Sequence, residues 1–226
     1  MCFSEKASMG AFLVGLFSLV FILQKKMYVF GMFYASVFIM QLAEFFAHKS
    51  LNTYNTELNK LSTLAILIIL FVQPVLWSLY NAAYIIKDKQ KSKIIYYVVA
   101  AFTLFSIFFY NYINERNGMK VTRLTSNCTP TFCRLNWSFF GKNVLLSLIW
   151  VFFYFFLFIY TNYARNRIFS VTFSSLPILL ASSIVYMIIV DKVNNLQEIA
   201  GGFGSIWCIS AVSVGPLALL YHSISK

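Results

Sequence analysis

The sequence predicts an all-α protein, a bundle of seven transmembrane helices with the N-terminus outside or lumenal and the C-terminus cytoplasmic. Three observations predict the bundle. Hydrophobic residues make up 60% of the 226 residues and charged residues only 11%, against about 45–50% and about a quarter in soluble domains. Seven runs are long enough to cross a bilayer, which needs about 20 mostly apolar residues each. Within those runs Glu44 is the only formally charged side chain. So few charges cannot cover that much apolar surface in water. The balance excludes a soluble enzyme, a disordered chain and a nucleic-acid binder, although the net charge is +11. The basic residues sit at the ends of apolar runs, where they read as membrane anchors and orientation signals.

The spans are predicted at about 7–23, 27–47, 61–86, 94–113, 143–163, 168–190 and 201–221, in one integral membrane domain. The first is read as a span and not a leader, because no basic segment precedes it and no small-residue cleavage pattern follows it. Gln24-Lys25-Lys26 then forms a tight hairpin into the second. Pro74 in the third is expected to kink it. Beside it, Gln73 either lines a cavity or satisfies the carbonyl that proline frees. The Gly201-Gly202-Phe203-Gly204-Ser205 stretch opening the seventh span lets either a ligand or another helix approach the backbone, and close helix packing is the commoner use of such residues. The only sizeable connection is the extramembrane loop 114–142.

Nine basic residues fall on each side of the predicted bundle. Those at Lys25, Lys26, Lys87, Lys89, Lys91, Lys93, Arg165, Arg167 and Lys226 crowd into short turns and the tail, which places that side in the cytoplasm. The loop 114–142 then lies outside. It contains two glycosylation acceptor triplets, at Asn127 and Asn136, and two cysteines, Cys128 and Cys133, that are able to form a disulfide in an oxidising compartment.

The sharpest feature is Gln41-Leu42-Ala43-Glu44-Phe45-Phe46-Ala47-His48. On a helix Glu44 and His48 are four apart and Gln41 precedes Glu44 by three, so all three share a face. A carboxylate within lipid is expensive and normally faces the bundle interior with a partner. That reads as a proton-relay, ion-binding or metal site; the plainer alternative is a helix-end carboxylate bonded to His48 or Lys49. In the predicted topology Cys2, Glu44, His48 and Cys208 all fall in the outer third. Thiolate, imidazole and carboxylate suit zinc, and a thiolate-rich set suits copper. The half of the bundle facing the lysine-rich turns reads as nearly devoid of polar groups. Other chemistries fail on residue types: no lysine sits in the last span to carry a retinal Schiff base, and two histidines on opposite sides are too few for a three-histidine zinc hydrolase.

Met1-Cys2-Phe3-Ser4, the Gln41/Glu44 pair and Gly204-Ser205-x-Trp207-Cys208 resemble a group of uncharacterised multi-pass membrane proteins. Those begin Met-Cys-Phe-Ser and carry Gln-x-x-Glu in an early span and a Trp-Cys pair in a late one. The resemblance implies a multi-pass fold and singles out Cys2, Glu44 and Cys208, but implies no reaction. The expected function is therefore to bind or conduct a small cation, proton or metal ion through an outer pocket centred on Glu44. Its rivals are an intramembrane metal- or thiol-dependent enzyme acting on a lipid-like substrate, and a structural membrane component without chemistry whose partner is the lipid bilayer.

Overall fold

The computed structural model describes residues 4–117, 123–124, 135–137, 143–165, 185, 188–189 and 212–224. Six helices are defined there: α1 (Glu5–Gln24), α2 (Tyr28–Asn52), α3 (Thr56–Tyr84), α4 (Lys89–Asn117), α5 (Val144–Ala164) and α6 (Val214–Ile224). Two short strands, β1 (Arg123–Leu124) and β2 (Leu135–Asn136), pair antiparallel within the long loop, Arg123 opposite Asn136. Five of the helices, α1 to α5, are long and apolar enough to cross a membrane. Each coincides with one of the first five predicted spans. The predicted sixth span lies outside the described residues except at 185, 188 and 189, which are helical, and the seventh except from residue 212 onward.

The helices outrun the predicted spans where polar residues extend them. α3 starts at Thr56 and α4 at Lys89, well before the apolar runs begin, and α2 continues past Ala47 to Asn52. Hydropathy marks the stretch that suits hydrocarbon, whereas capping marks where helical hydrogen bonding stops. Ser4, Asn55 and Asn143 each accept a hydrogen bond from the backbone N–H three residues on, at 3.2, 3.0 and 3.1 Å. Ahead of α4 the Asp88 Oδ1 accepts from the N–H groups two and three residues on, those of Gln90 and Lys91.

The first two turns share one construction. After α1, the Met27 N–H bonds the Ile22 carbonyl at 3.2 Å and the Lys26 N–H bonds Leu23 at 2.9 Å. After α2, Asn55 bonds Ser50 at 2.9 Å and Tyr54 bonds Leu51 at 3.4 Å. Both are Schellman motifs, and each requires a left-handed residue. Lys26 (φ 58°) and Tyr54 (φ 53°) supply it, although neither is glycine. Asn55 therefore closes α2 with its N–H and opens α3 with its side chain.

α2 packs between α1 and α3; α3 also meets α4 and α5, and α6 lies against α1. α1 buries only Ser8, Gly15, Ser18 and Ile22, a narrow row of mostly small residues that brings two backbones close. Its remaining faces expose Leu13, Val14, Leu16, Phe17, Val20 and Phe21, the reverse of a water-facing helix. At Gly15 the Phe38 side chain of α2 occupies the space a Cβ would need. An aromatic core joins the other helices: Phe102 of α4 packs on Phe71 of α3 and Trp150 of α5, with ring centroids 5.7 and 5.3 Å apart.

Candidate functional site

Polar side chains are buried at two levels of the bundle. The first is the predicted one. Gln41 and Glu44 have no exposed surface and His48 is 5% exposed. The Gln41 Nε2 donates to the Glu44 Oε2 at 3.1 Å. Helical spacing thus puts all three on the buried face of α2, as the sequence pattern requires. Lys49, the other residue the plainer reading offered to Glu44, is exposed, with its ammonium 6.0 Å from the Phe45 ring centroid.

The α2–α3 turn brings further polar groups to this end. α3 runs back alongside α2 and buries Asn59, Ser62 and Thr63 in its first turns. The Thr63 hydroxyl bonds the Asn59 Oδ1 at 3.3 Å and Ser62 bonds the Leu58 carbonyl at 2.8 Å. Across the way, α1 buries Ser8 completely. The long loop also reaches α2: β2 packs on that helix, and Leu135 and Trp137 are fully buried.

Of the proposed metal ligands, Glu44 and His48 are brought together on α2, while Cys2 and Cys208 lie outside the described residues. Among the described residues no group of three or more His, Cys, Asp or Glu side chains is placed to hold a metal. Cys128, Cys133 and Asn127 also lie outside them, and Asn136 is described only as a backbone position in β2. The glycine-rich stretch 201–205 is likewise outside.

Of the second level only Gln73 was singled out from sequence. Near the end of the bundle that carries the lysine-rich turns, α3 and α5 run parallel and are joined by buried polar side chains. The Tyr154 hydroxyl donates to the Gln73 Oε1 at 2.6 Å, and the Gln73 Nε2 donates to the Ser36 carbonyl of α2 at 3.1 Å. One to two turns on, the Thr161 hydroxyl donates to the Ser78 Oγ at 2.9 Å. Asn81 and Asn162 follow, both buried. This half of the bundle is therefore not devoid of polar groups. The others carry no sequence signal because each stands alone in an apolar helix, and the partners of Tyr154 and Thr161 lie about 80 positions away.

Gln73 takes the first of its two predicted roles. Its amide bonds α2 and α5, and with Ser36, Phe33, Trp77 and Tyr80 it lines a small recess between α2 and α3, about the size of a single water. α3 stays helical through Pro74.

No family model, curated protein or solved structure matches this chain. The functional reading accordingly rests on its own residues.

Proposed function

We propose that this chain is an integral membrane protein of seven spans that binds or conducts a small cation, proton or metal ion through a pocket centred on Glu44. The observation that carries the reading is the complete burial of Glu44 on an apolar helix, beside Gln41 and His48. A carboxylate in such a place must be protonated, paired or ion-bound. Gln41 donates to one of its oxygens and so orients the group without neutralising it. The polar turns of α3 and the buried β2 segment enclose the same end of the bundle, which favours a pocket over a channel mouth there. If the ion is zinc or copper, Cys2 and Cys208 are the ligands that would complete Glu44 and His48.

The orientation is proposed as N-terminus outside or lumenal, on the crowding of basic residues at the opposite side. Loop 114–142 then faces an oxidising compartment, where Cys128 and Cys133 pair and Asn127 or Asn136 accepts a glycan. Glycosylation mapping in microsomes tests this, and a cytoplasmic loop refutes the orientation.

The site itself is tested with Glu44→Gln. Glutamine is isosteric and retains an oxygen for the Gln41 donor, so the variant is expected to fold. Protein in liposomes loaded with a proton- or metal-sensitive dye is offered protons, sodium, zinc and copper in turn, and purified protein is assayed for bound metal. The expected result is a wild-type uptake or metal content that Glu44→Gln abolishes. Uptake and metal content equal in both proteins would remove Glu44 from any ion site and leave the structural reading.

A further inference from the structure

The turn between α3 and α4 carries a concentration of charge that the Glu44 pocket does not use. Residues 87–93 run Lys-Asp-Lys-Gln-Lys-Ser-Lys, four cations against one carboxylate. Lys87 precedes α4, and Lys89, Lys91 and Lys93 fall at its start, with no acidic residue in the first turn. The positive end of a helix dipole disfavours cations. Lys89 and Lys93, four apart on one face, also repel each other. Lys25 and Lys26 instead follow the C-terminus of α1, where the dipole favours them. Orientation in the membrane is served equally by either placement, so it does not account for lysines set against the dipole of α4.

The chain itself does little to offset this charge. The Asp88 Oδ1 is engaged by the Gln90 and Lys91 N–H groups at 2.9 and 3.1 Å. None of the four lysines makes an ion pair with a carboxylate among the described residues. Lys87, Lys89 and Lys93 are exposed and Lys91 is half-buried. Aromatic rings, not acids, stand beside two of them: the Lys91 ammonium is 5.0 Å from the Tyr163 ring centroid of α5, and that of Lys93 is 5.8 Å from Tyr97. Apolar surface begins at the next residue. Ile94, Tyr96 and Tyr97 of α4 are exposed, as are Tyr84 and Ile85 at the end of α3. Exposed tyrosines at the margin of an apolar run mark the headgroup level of a bilayer.

We infer that Lys87, Lys89, Lys91 and Lys93 form a docking surface for the phosphate of an anionic phospholipid. Ammonium groups bind phosphate as point charges, and basic clusters beside a span attract anionic headgroups. The amides that Asp88 caps take no part; the ammonium groups supply the attraction. Charge complementarity calls for an anion, and the adjoining apolar surface selects a lipid. Exposed Ile94, Tyr96 and Tyr97 follow the lysines directly along α4, so a molecule with a phosphate and acyl chains is matched in both its parts. A soluble anion meets only the lysines. A bound phosphate also offsets the repulsion among the lysines and against the helix dipole. This surface lies at the opposite end of α3 from the Glu44 pocket and does not rest on the function proposed for it.

The test is thermal unfolding of the purified full chain in a neutral detergent, titrated with phosphatidylglycerol, phosphatidylcholine or inorganic phosphate. Phosphatidylglycerol is expected to raise the wild-type midpoint, and the other two to leave it unchanged. Lys87→Gln and Lys89→Gln are each expected to raise the half-saturating concentration of phosphatidylglycerol about five-fold. Replacing all four lysines by glutamine should abolish the response. It should also raise the lipid-free midpoint at low salt, because the repulsion is gone. The single variants decide the matter if the fourfold one does not fold. Lys6→Gln and Lys49→Gln, at the other end of the bundle, should respond as wild type does. An equal rise with phosphatidylcholine, or a response to phosphatidylglycerol that survives the lysine variants, overturns the docking surface. A rise with inorganic phosphate matching that with phosphatidylglycerol identifies a free-anion site and overturns the lipid assignment. Loss of the response in Lys6→Gln and Lys49→Gln places the lipid at the other end and overturns it as well.

Discussion

The Gln73–Tyr154 bond is the clearest place to measure what buried polarity contributes to this bundle. Tyr154→Phe removes one hydroxyl and keeps the ring, which packs on Trp150 and Phe158 at 5.6 and 5.2 Å between centroids. The lost bond is short, at 2.6 Å, and both partners are buried. In a soluble core, leaving the Gln73 Oε1 without its donor would cost about 1–3 kcal/mol. In a bilayer or micelle the separated helices find other partners, and measured couplings average about 0.6 with a maximum near 1.7 kcal/mol. The short distance and the packed ring place this pair in the upper part of that range, so we expect about 1 kcal/mol of coupling. Gln73→Leu should cost more than Tyr154→Phe, because it also deletes the bond to the Ser36 carbonyl. The double variant should then be less destabilised than the sum of the singles. The assay is equilibrium unfolding in mixed micelles with rising sodium dodecyl sulfate, run as a double-mutant cycle. Additivity within about 0.3 kcal/mol would refute the claim that this bond ties α3 to α5.

Two glycines of α1 should respond oppositely. Gly10→Ala meets nothing within 4 Å and should stabilise by up to about 1 kcal/mol through helix propensity. Gly15→Ala puts its Cβ into Phe38, 2.7 Å from Cγ, and should lose about 1–3 kcal/mol by forcing α1 off α2; the same unfolding assay reads both. Tyr54 is 93% exposed at φ 53°, so Tyr54→Gly should raise stability by roughly 0.5–1 kcal/mol, the relief of left-handed strain less the added freedom of the unfolded chain. Trp137→Ala should cost about 3 kcal/mol and speed tryptic cleavage of the 114–142 loop, and an unchanged cleavage rate would mean that Trp137 does not hold the loop on α2.

Much of this was legible in the sequence because the signals are local. An apolar run of bilayer length marks each of α1 to α5, and three-and-four spacing is sufficient to put Gln41, Glu44 and His48 on one buried face. The capping residues are visible too, once Asn55 and Asn143 are read as acceptors and not as ends of apolar runs. What stayed hidden is everything that depends on which helix lies beside which. Ser78 and Thr161 are unremarkable alone, since a lone hydroxyl in an apolar helix usually bonds its own backbone. Only the parallel alignment of α3 and α5 makes them a pair, as it does Gln73 and Tyr154.

Asn55 has a consequence of a different kind. With one residue finishing α2 and starting α3, the turn has no slack, and it sets the rotational phase of the second helix against the first. Inserting a single residue between positions 53 and 55 would turn α3 by about 100° and slide it by about 1.5 Å. Asn59, Thr63, Gln73 and Asn81 would swing off the buried face together, whatever their own packing preferred. Both polar levels of the bundle thus take their angular setting from one surface turn, and length changes there should prove far less tolerable than substitutions.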